Sequence, residues 1–479
     1  MKHTEKEQKI LRAVWQKIHQ QKQSPTTAAK RKPLWRPLAA AAGVLAAVFL
    51  CFILLSPNTD HKALAYHQPA SLEDLFASSE NDSAFPEYAQ DNVSPQDGSQ
   101  DGSAGLLTDT QAPFGTAFAL DMLKAAYDGE NTLVSPLSLQ LPLLLTYSGA
   151  DGETAAQLAA ALGLNDHQQA HLGMLANSLL SSIFSSGASS YNSLWLSEGY
   201  TLQDDFRQTA LQHYNTGIGV ADFSDPQTIE AINKEVAAQT DNAIPKLLDS
   251  LSSDTVLLLV NTLNFKDDWL HPFDPDATLK SQPFHTPEGE SSVSMMKKSL
   301  SCYYYETDGY QLISLPYANS TIEMAFLLPA QEQTIEETLP SLTEQTWQQA
   351  LSSGKAERVD ILLPPFEMNS TVDCKPLLHS MGVTDLFEPS RANLSKIAAE
   401  DDTPLALFVN GILQKSTIRV DESGAEAHSA TGITMEATSA PLEGPNKSFT
   451  ANRPFLFYLY NSADGSILFT GAVTDPSAT

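Results

Sequence analysis

The chain has few cysteines and few basic residues, and both shortages restrict what it can be. Its 479 residues include only three cysteines, Cys51, Cys302 and Cys374, which excludes a disulfide framework and a paired-cysteine metal site. Cys51 lies in an apolar run, so at most one bridge is available, and whether Cys302 and Cys374 pair stays open. With 28 Lys and Arg against 57 Asp and Glu, the formal net charge is −29, which argues against a nucleic-acid partner.

Signatures of catalysis are missing as well. The sequence contains no G-x-S-x-G elbow, no H-E-x-x-H and no phosphate-binding glycine loop. Ser352 and Lys355 match the S-x-x-K of serine acyl enzymes, but the partner motifs S-D-N and K-T-G are absent, so an anchored acyl hydrolase rests on two residues alone. His167 and His171 stand four apart on a predicted helix without a third ligand. We therefore expect no enzyme activity, no cofactor and no metal.

An uncharged apolar run of 18 residues, 38–55, is close to the minimum length for a membrane-spanning helix. Residues 1–36 before it carry ten Lys and Arg against two Glu, and the positive-inside bias places such a segment in the cytoplasm. We therefore expect an uncleaved signal anchor over residues 37–56, hence a single-pass cell-membrane protein whose C-terminal bulk is extracytoplasmic. A cleaved signal peptide is the alternative.

Two further segments flank this run. Apolar residues at helical spacing predict a basic amphipathic helix within residues 1–36, and its role stays open. Residues 60–110 hold ten acidic residues and one Lys with little apolar periodicity. Such a stretch buries too little surface to offset its ordering entropy, so residues 57–112 are predicted to be a disordered acidic linker.

From residue 113 to 479 the pattern is that of one globular domain. Residues 114–127 have helical spacing, and Ser135 followed by Pro136 opens a second helix that contains Pro142. Short runs rich in Val, Ile, Leu and aromatics predict strands at 255–265, 324–328, 361–363, 418–420, 455–460 and 467–473. Because helical patterns lie mostly between 114 and 250 and strands mostly after 254, we expect an α+β fold.

Several stretches of this domain resemble serpin signatures, and they occur in the serpin order. The matching stretches are NTLVSPLS from Asn131, SGADGET from Ser148, LVNTLNFKDDW from Leu259, VSMM from Val293, GVTDLF from Gly382, ESGAEAHSAT from Glu422, FTANRPF from Phe449 and GSILF from Gly465.

This resemblance, to a bacterial serpin with an N-terminal membrane anchor, implies helices packed on a large central antiparallel-rich sheet. It also implies two further sheets and an exposed reactive loop. The implied function is suicide inhibition of serine-type endopeptidases, with cysteine-type ones also open: a protease cuts the loop, becomes acylated, and is trapped when the loop inserts into the central sheet.

The resemblance also assigns residues to the opening of that sheet. Ser135, Ser138 and Asn261 match a polar cluster, the shutter, whose customary His is Gln414 here. An amide both donates and accepts hydrogen bonds, so Gln414 suits the position. Trp269 falls in the breach, the end of the sheet where the loop inserts.

The loop itself alternates like a strand with one buried face. Glu422 is taken as the first hinge residue, and Gly424 supplies backbone freedom. The inward set is small or apolar: Ala425, Ala427, Ser429, Thr431, Ile433 and Met435. The outward set is Glu426, His428, Ala430, Gly432, Thr434 and Glu436. Ala425 stands where inhibitors usually have Thr or Ser, and His428 replaces a small residue on the outward face.

Loop length places the reactive bond at Thr438-Ser439 or one to two residues later. The candidate residues are small and uncharged, and no Arg or Lys occurs between Arg419 and Lys447, so the expected partner is an elastase-like or subtilisin-like protease. A monomer is expected. The alternative is a non-inhibitory serpin-fold carrier, chaperone or adhesion module, whose members usually have bulky or charged hinge residues.

Overall fold

A computed structural model describes residues 113–240, 244–252, 254–400, 406–425 and 446–478. No helix within these ranges is long and apolar enough to cross a membrane. The anchor, the linker and the basic segment predicted for residues 1–112 lie outside the described residues, and they stay predictions.

The helices come mostly from the first half of the domain. They are α1 (Thr116–Ala126), α2 (Pro136–Gly149), α3 (Gly152–Leu162), α4 (Asp166–Ala170), α5 (Leu172–Ser185), α6 (Asp204–His213), α7 (Pro226–Gln239), α8 (Ile335–Thr338), α9 (Glu344–Ser353) and α10 (Cys374–Ser380). Helix α2 begins as predicted, with Ser135 extended before it and Pro136 in its first turn, and it continues through Pro142.

The strands follow in two large sheets and one small one. They are β1 (Thr132–Val134), β2 (Ser189–Ser197), β3 (Tyr200–Leu202), β4 (Thr216–Ala221), β5 (Leu257–Asn264), β6 (Asp267–Asp268), β7 (Leu279–Thr286), β8 (Gly289–Glu306), β9 (Tyr310–Pro316), β10 (Ile322–Pro329), β11 (Lys355–Leu363), β12 (Phe366–Asp373), β13 (Ala398–Glu400), β14 (Gly411–Val420), β15 (Gly424–Ala425), β16 (Lys447–Thr450), β17 (Phe455–Asn461) and β18 (Ile467–Val473).

The central sheet has the order β4, β2, β5, β14, with β12 on the far side of β14. Strands β2 and β12 run antiparallel to their neighbours β5 and β14. Strands β5 and β14 pair directly and in parallel, from Leu258 opposite Gly411 to Asn264 opposite Thr417. This parallel junction is called the seam below. The second large sheet has the order β1, β18, β17, β10, β9, β8, β11, β16, with β7 added to β8.

The α+β class is confirmed, with two differences in detail. Strands β2 and β4 of the central sheet come from the part of the chain where helical patterns dominate. Strand β14 begins at Gly411, well before the run predicted at 418–420. The apolar pattern did not predict its first half, since that half carries buried polar side chains such as Gln414 and Ser416. Helix α2 is buried along most of its length and lies under the seam, where its first turn contacts both β5 and β14.

Candidate functional site: the loop hinge, the breach and the seam

The hinge begins where the chain leaves β14. The Asp421 N–H donates to the Gly424 carbonyl at 3.0 Å, and the Asp421 carboxylate accepts the Ser423 N–H at 2.9 Å, so the chain reverses within four residues. It returns as β15, where Ala425 is fully buried. Ala425 pairs antiparallel with Val420 on one side and with Asp267 of β6 on the other. Gly424 and Ala425 therefore already lie between β14 and β6, the two strands that flank the open end of the seam.

Gly424 is required by close packing at this point. A Cβ atom on Gly424 would lie 2.3 Å from the Asp267 carbonyl oxygen and 2.7 Å from the Asp268 Cα atom. Both are backbone atoms, which cannot rotate away as a side chain can. Any side chain at position 424 must therefore displace the hinge or β6.

The breach holds the hinge through its backbone. Trp269 donates its N–H to the Ser423 carbonyl at 2.8 Å and its indole N–H to the Asp421 carbonyl at 2.9 Å. The indole ring stacks on Tyr317, with ring centroids 4.3 Å apart. Burial raises the pKa of Tyr317 well above its usual value, and the nearby Asp267 and Asp421 carboxylates add to the shift. Trp269 thus lies at the breach and fixes the conformation from which the loop starts.

Glu422, the first predicted hinge residue, is held by the segment that follows the breach. Its carbonyl accepts the Phe273 N–H at 2.8 Å, and its carboxylate accepts the Thr278 hydroxyl at 2.7 Å. Both bonds lie outside the sheet. Glu422 is therefore anchored to the segment that follows the breach, two residues before the chain enters β15 at Gly424.

The four predicted shutter residues lie together across the seam. The Gln414 side chain accepts the Ser135 N–H at 2.9 Å and donates to the Ser135 carbonyl at 2.8 Å. Ser138 donates its hydroxyl to the Asn261 side chain at 2.6 Å, and Asn261 donates to the Ser138 carbonyl at 2.9 Å. Gln414 and Asn261 are also direct partners across the seam. All four residues are buried, so the cluster bonds the seam to the start of α2.

Sequence reasoning missed a fifth member of this cluster. Asn192 of β2 accepts the Asn261 amide N–H at 2.5 Å and is its register partner across β2 and β5. It is almost completely buried. Nothing local around Asn192 marks it, because β2 is buried on both faces and its neighbours do not alternate in polarity.

Other polar groups along the seam have no partner. The Thr262 hydroxyl, the Asn264 side-chain oxygen and the Ser416 hydroxyl are buried, and none has a hydrogen-bond partner within the described ranges. A buried polar group without a partner costs about 1–3 kcal/mol. Hydrogen bonds therefore stabilise the closed seam at the shutter, whereas these buried polar groups between the shutter and the breach lack hydrogen bonds within the described ranges.

The far end of the loop is anchored to the second sheet. Strand β16 pairs in parallel with β11, and Asn446 just before it donates to the Asp360 carboxylate at 2.9 Å. The Ser299 hydroxyl also donates to this carboxylate. These two hydrogen bonds lower the pKa of Asp360, the bond from Ser299 more strongly.

Several predicted residues lie outside the described residues: Glu426, Ala427, His428, Ser429, Ala430 and Thr431 of the hinge, and the reactive-bond residues Thr438 and Ser439. Of the other candidates, Cys302 and Cys374 are free and buried, so they do not pair. His167 and His171 stack with ring centroids 4.4 Å apart, and no group of three potential metal ligands occurs in the described part of the chain.

A central sheet with a closed parallel seam, a polar cluster across it and a loop that starts at its open end define a serpin. The family model described as Serpin (serine protease inhibitor) matches residues 114–476, so the chain belongs to the serpin family. A similar protein is the leukocyte elastase inhibitor of Homo sapiens, 32% identical over 382 residues that cover 75% of this chain and 98% of that protein.

Three other proteins are similar over about the same share of this chain. An uncharacterised serpin-like protein of Thermococcus kodakarensis is 29% identical over 368 residues, covering 75% of this chain and 84% of that protein. The native state of Tengpin, a thermophilic serpin, matches with a TM-score of 0.69 and 28% identity over 75% of this chain and 93% of that one. Thyroxine-binding globulin with thyroxine, at 22% identity and a TM-score of 0.66, is similar in fold alone.

Proposed function

We propose that this serpin inhibits serine-type endopeptidases by a suicide mechanism. The protease hydroxyl attacks the carbonyl of the reactive bond, the peptide bond breaks, and the protease is left as an ester of the loop. The cut loop then inserts into the central sheet before water hydrolyses the ester. Inhibition depends on insertion being faster than hydrolysis.

One observation carries this proposal: Ala425 pairs antiparallel with β14 and β6 at once while the seam below it is closed. A strand inserted between β5 and β14 must be antiparallel to both. The first residues of the loop therefore already have the direction and position of the strand that insertion would extend.

Continuing this register predicts the whole inserted strand. Ala427 would lie opposite Ile418 and Phe265, both of which are buried. Ser429 would lie opposite Ser416, whose hydroxyl has no partner within the described ranges. Thr431 would reach the level of the shutter. The register thus supports the parity proposed from the sequence, and insertion would offer partners to polar groups that the closed seam leaves unsatisfied.

The experiment that tests the mechanism is incubation of the full-length protein with an elastase, followed by a denaturing gel. The proposal expects a covalent band at the summed mass of the two proteins. A cleaved loop without this band would favour the non-inhibitory carrier, chaperone or adhesion module instead.

The physical basis of the mechanism is tested separately by cutting the loop. If the cut strand inserts, it gains hydrogen bonds to both neighbouring strands and buries its inward side chains, so the melting temperature should rise substantially. We would measure thermal unfolding before and after cleavage near Thr438. An unchanged or lower melting temperature would mean that the loop does not insert.

The target is proposed to be a protease that prefers small uncharged residues, elastase-like or subtilisin-like. The support is the composition of the loop around Thr438 and Ser439, together with the similarity to an elastase inhibitor. Comparing association rates with an elastase, a subtilisin and a trypsin tests it. A faster reaction with the trypsin would contradict the proposal.

We also propose that the inhibitor is a monomer held outside the cell membrane by residues 37–56. The support is the uncharged run of 18 residues behind a basic segment. Protease added to intact cells should release the domain by cutting within residues 60–110 and leave residues 1–36 protected. Release of the domain without added protease would favour a cleaved signal peptide.

A further inference from the structure

Two exposed cations flank the open end of the seam. Arg419 is the residue before Val420 on β14, and Lys266 is the residue before Asp267 of β6. Val420 and Asp267 are the two residues that pair with Ala425. Because neighbouring residues in a strand face opposite sides, Arg419 and Lys266 lie on the outward face, one step further along the path of an inserting strand.

The outward side chains level with Arg419 and Lys266 form a row across the sheet, and the charges in this row alternate. Glu367 of β12 is the register partner of Arg419, and both are exposed. Arg419 also contacts the Asp421 carboxylate through its Nε atom at 3.4 Å. Lys266 makes no ion pair with another described residue. Across the sheet, the outward positions in this row are therefore Glu367, Arg419, the position that an inserting strand would occupy, and Lys266.

The residue that comes to this position is fixed by the register. Ala425 is opposite Val420 and Asp267, so on insertion the next residue, Glu426, would come opposite Arg419 and Lys266. Direct antiparallel partners lie about 5 Å apart between Cα atoms, close enough for a carboxylate to contact long cationic side chains on both sides. The planar guanidinium of Arg419 has several N–H donors, so it can bind a second carboxylate while its Nε atom contacts Asp421.

We propose that Arg419 and Lys266 form a carboxylate-binding position that receives Glu426 as the first outward side chain of the inserting loop. They are positioning residues: the pairing fixes the register of the strand before its inward residues reach the shutter. The inference rests on the loop insertion proposed above, and it identifies which side chains guide its first step.

The test uses the full-length protein and the ratio of covalent complex to cleaved, released inhibitor after reaction with an elastase. Three variants remove one charge each: Glu426→Gln, Arg419→Met and Lys266→Met. Exposed ion pairs shift an equilibrium by about 1.5- to 5-fold each, so each change should lower the ratio by a similar factor. Lys280→Met, an exposed cation on β7, is the matched control and should leave the ratio unchanged.

Coupling separates guidance from a general charge effect. If Glu426 acts through the two cations, combining Glu426→Gln with Arg419→Met and Lys266→Met should lower the ratio no further than the double cation variant does. The charge-swapped triple variant, Glu426→Lys with Arg419→Glu and Lys266→Glu, should recover most of the wild-type ratio. The losses should also shrink at high ionic strength, because exposed charges are screened.

Two results would overturn the inference while leaving the inhibitory function intact. One is a Glu426→Gln variant that forms complexes as efficiently as the wild type. The other is strict additivity of the three losses, which would show that the side chains act independently. A wild-type protein that forms no complex and gains no thermal stability on cleavage would overturn the proposed function as well, so the two failures are distinguishable.

Discussion

Substituting Arg at two neighbouring loop positions tests the register in a single experiment. In the inserted strand, Ala427→Arg would place a long charged side chain opposite Ile418 and Phe265, each only 2% exposed. His428→Arg, one residue later, would place the same side chain opposite Thr417 and Asn264 on the outward face. Both variants introduce the same Arg side chain, and the proposed register puts it on opposite faces of the strand.

The magnitude follows from the burial of these partners. An unpaired buried charge costs about 3–5 kcal/mol, and each ~1.4 kcal/mol on a barrier slows a step tenfold. Insertion of the Ala427→Arg loop should therefore slow by roughly two to nearly four orders of magnitude, so that hydrolysis of the ester becomes the faster step. The variant should behave as a substrate that is cut and released. His428→Arg should keep most of the inhibition because its charge stays in water.

The assay is the number of inhibitor molecules consumed per protease molecule trapped, read from complex and cleaved bands on denaturing gels. The melting temperature of each uncut variant serves as the control for folding. Equal damage from both substitutions would show that the loop never becomes a strand. Damage confined to His428→Arg would show that the register is wrong by one residue.

Three further changes test the shutter, the breach and the loop anchor. Gln414→Leu leaves the buried Ser135 N–H without its partner, at a cost of about 1–3 kcal/mol, and should lower the urea midpoint of the uncut protein. Gly424→Val pushes a side chain against the Asp267 carbonyl, so it should expose the hinge to limited proteolysis, and an unchanged cleavage rate would contradict the packing argument. Hydrogen bonds lower the pKa of Asp360, and the bond from Ser299 is the largest cause. The contribution of Asp360 to folding stability is therefore present above its unfolded pKa and is lost as the pH falls through its folded pKa. The difference in melting temperature between wild type and Asp360→Asn should shrink as the pH falls from about 6 to 3, and a difference constant over this range would contradict the prediction.

Local sequence patterns were enough to predict the helices and strands that are defined by residues close together in the sequence. Strand β18 has the bounds predicted for it, and helix α2 starts where Ser135 and Pro136 predicted. In both, the residues that define the element are neighbours in sequence. Apolar periodicity and capping are local properties, so one sequence is sufficient to read them.

The shutter could not be assembled in this way. Its bonds join residues far apart in sequence: Ser135 and Gln414 are 279 positions apart, and Asn261 and Asn192 are 69 apart. Polar residues inside a buried strand also argue locally against a strand, which is why the first half of β14 was not predicted. Resemblance to a family brought four of the five residues together, and Asn192 became visible only through the register of β2 and β5.

In the proposed mechanism, the closed seam would make insertion favourable to complete, and the shutter would place a barrier part of the way along it. The parallel pairing of β5 with β14 would be replaced by two antiparallel pairings, which are slightly more stable per residue and double the number of ladders. Against this, the Gln414 and Asn261 side chains hold the seam to α2. On the proposed register, an inserting strand would meet these bonds only at Thr431, after its first inward residues were placed. If the loop inserts as proposed, the shutter should slow insertion at this point, and the replacement of the customary His by Gln414 should change how fast the trap closes.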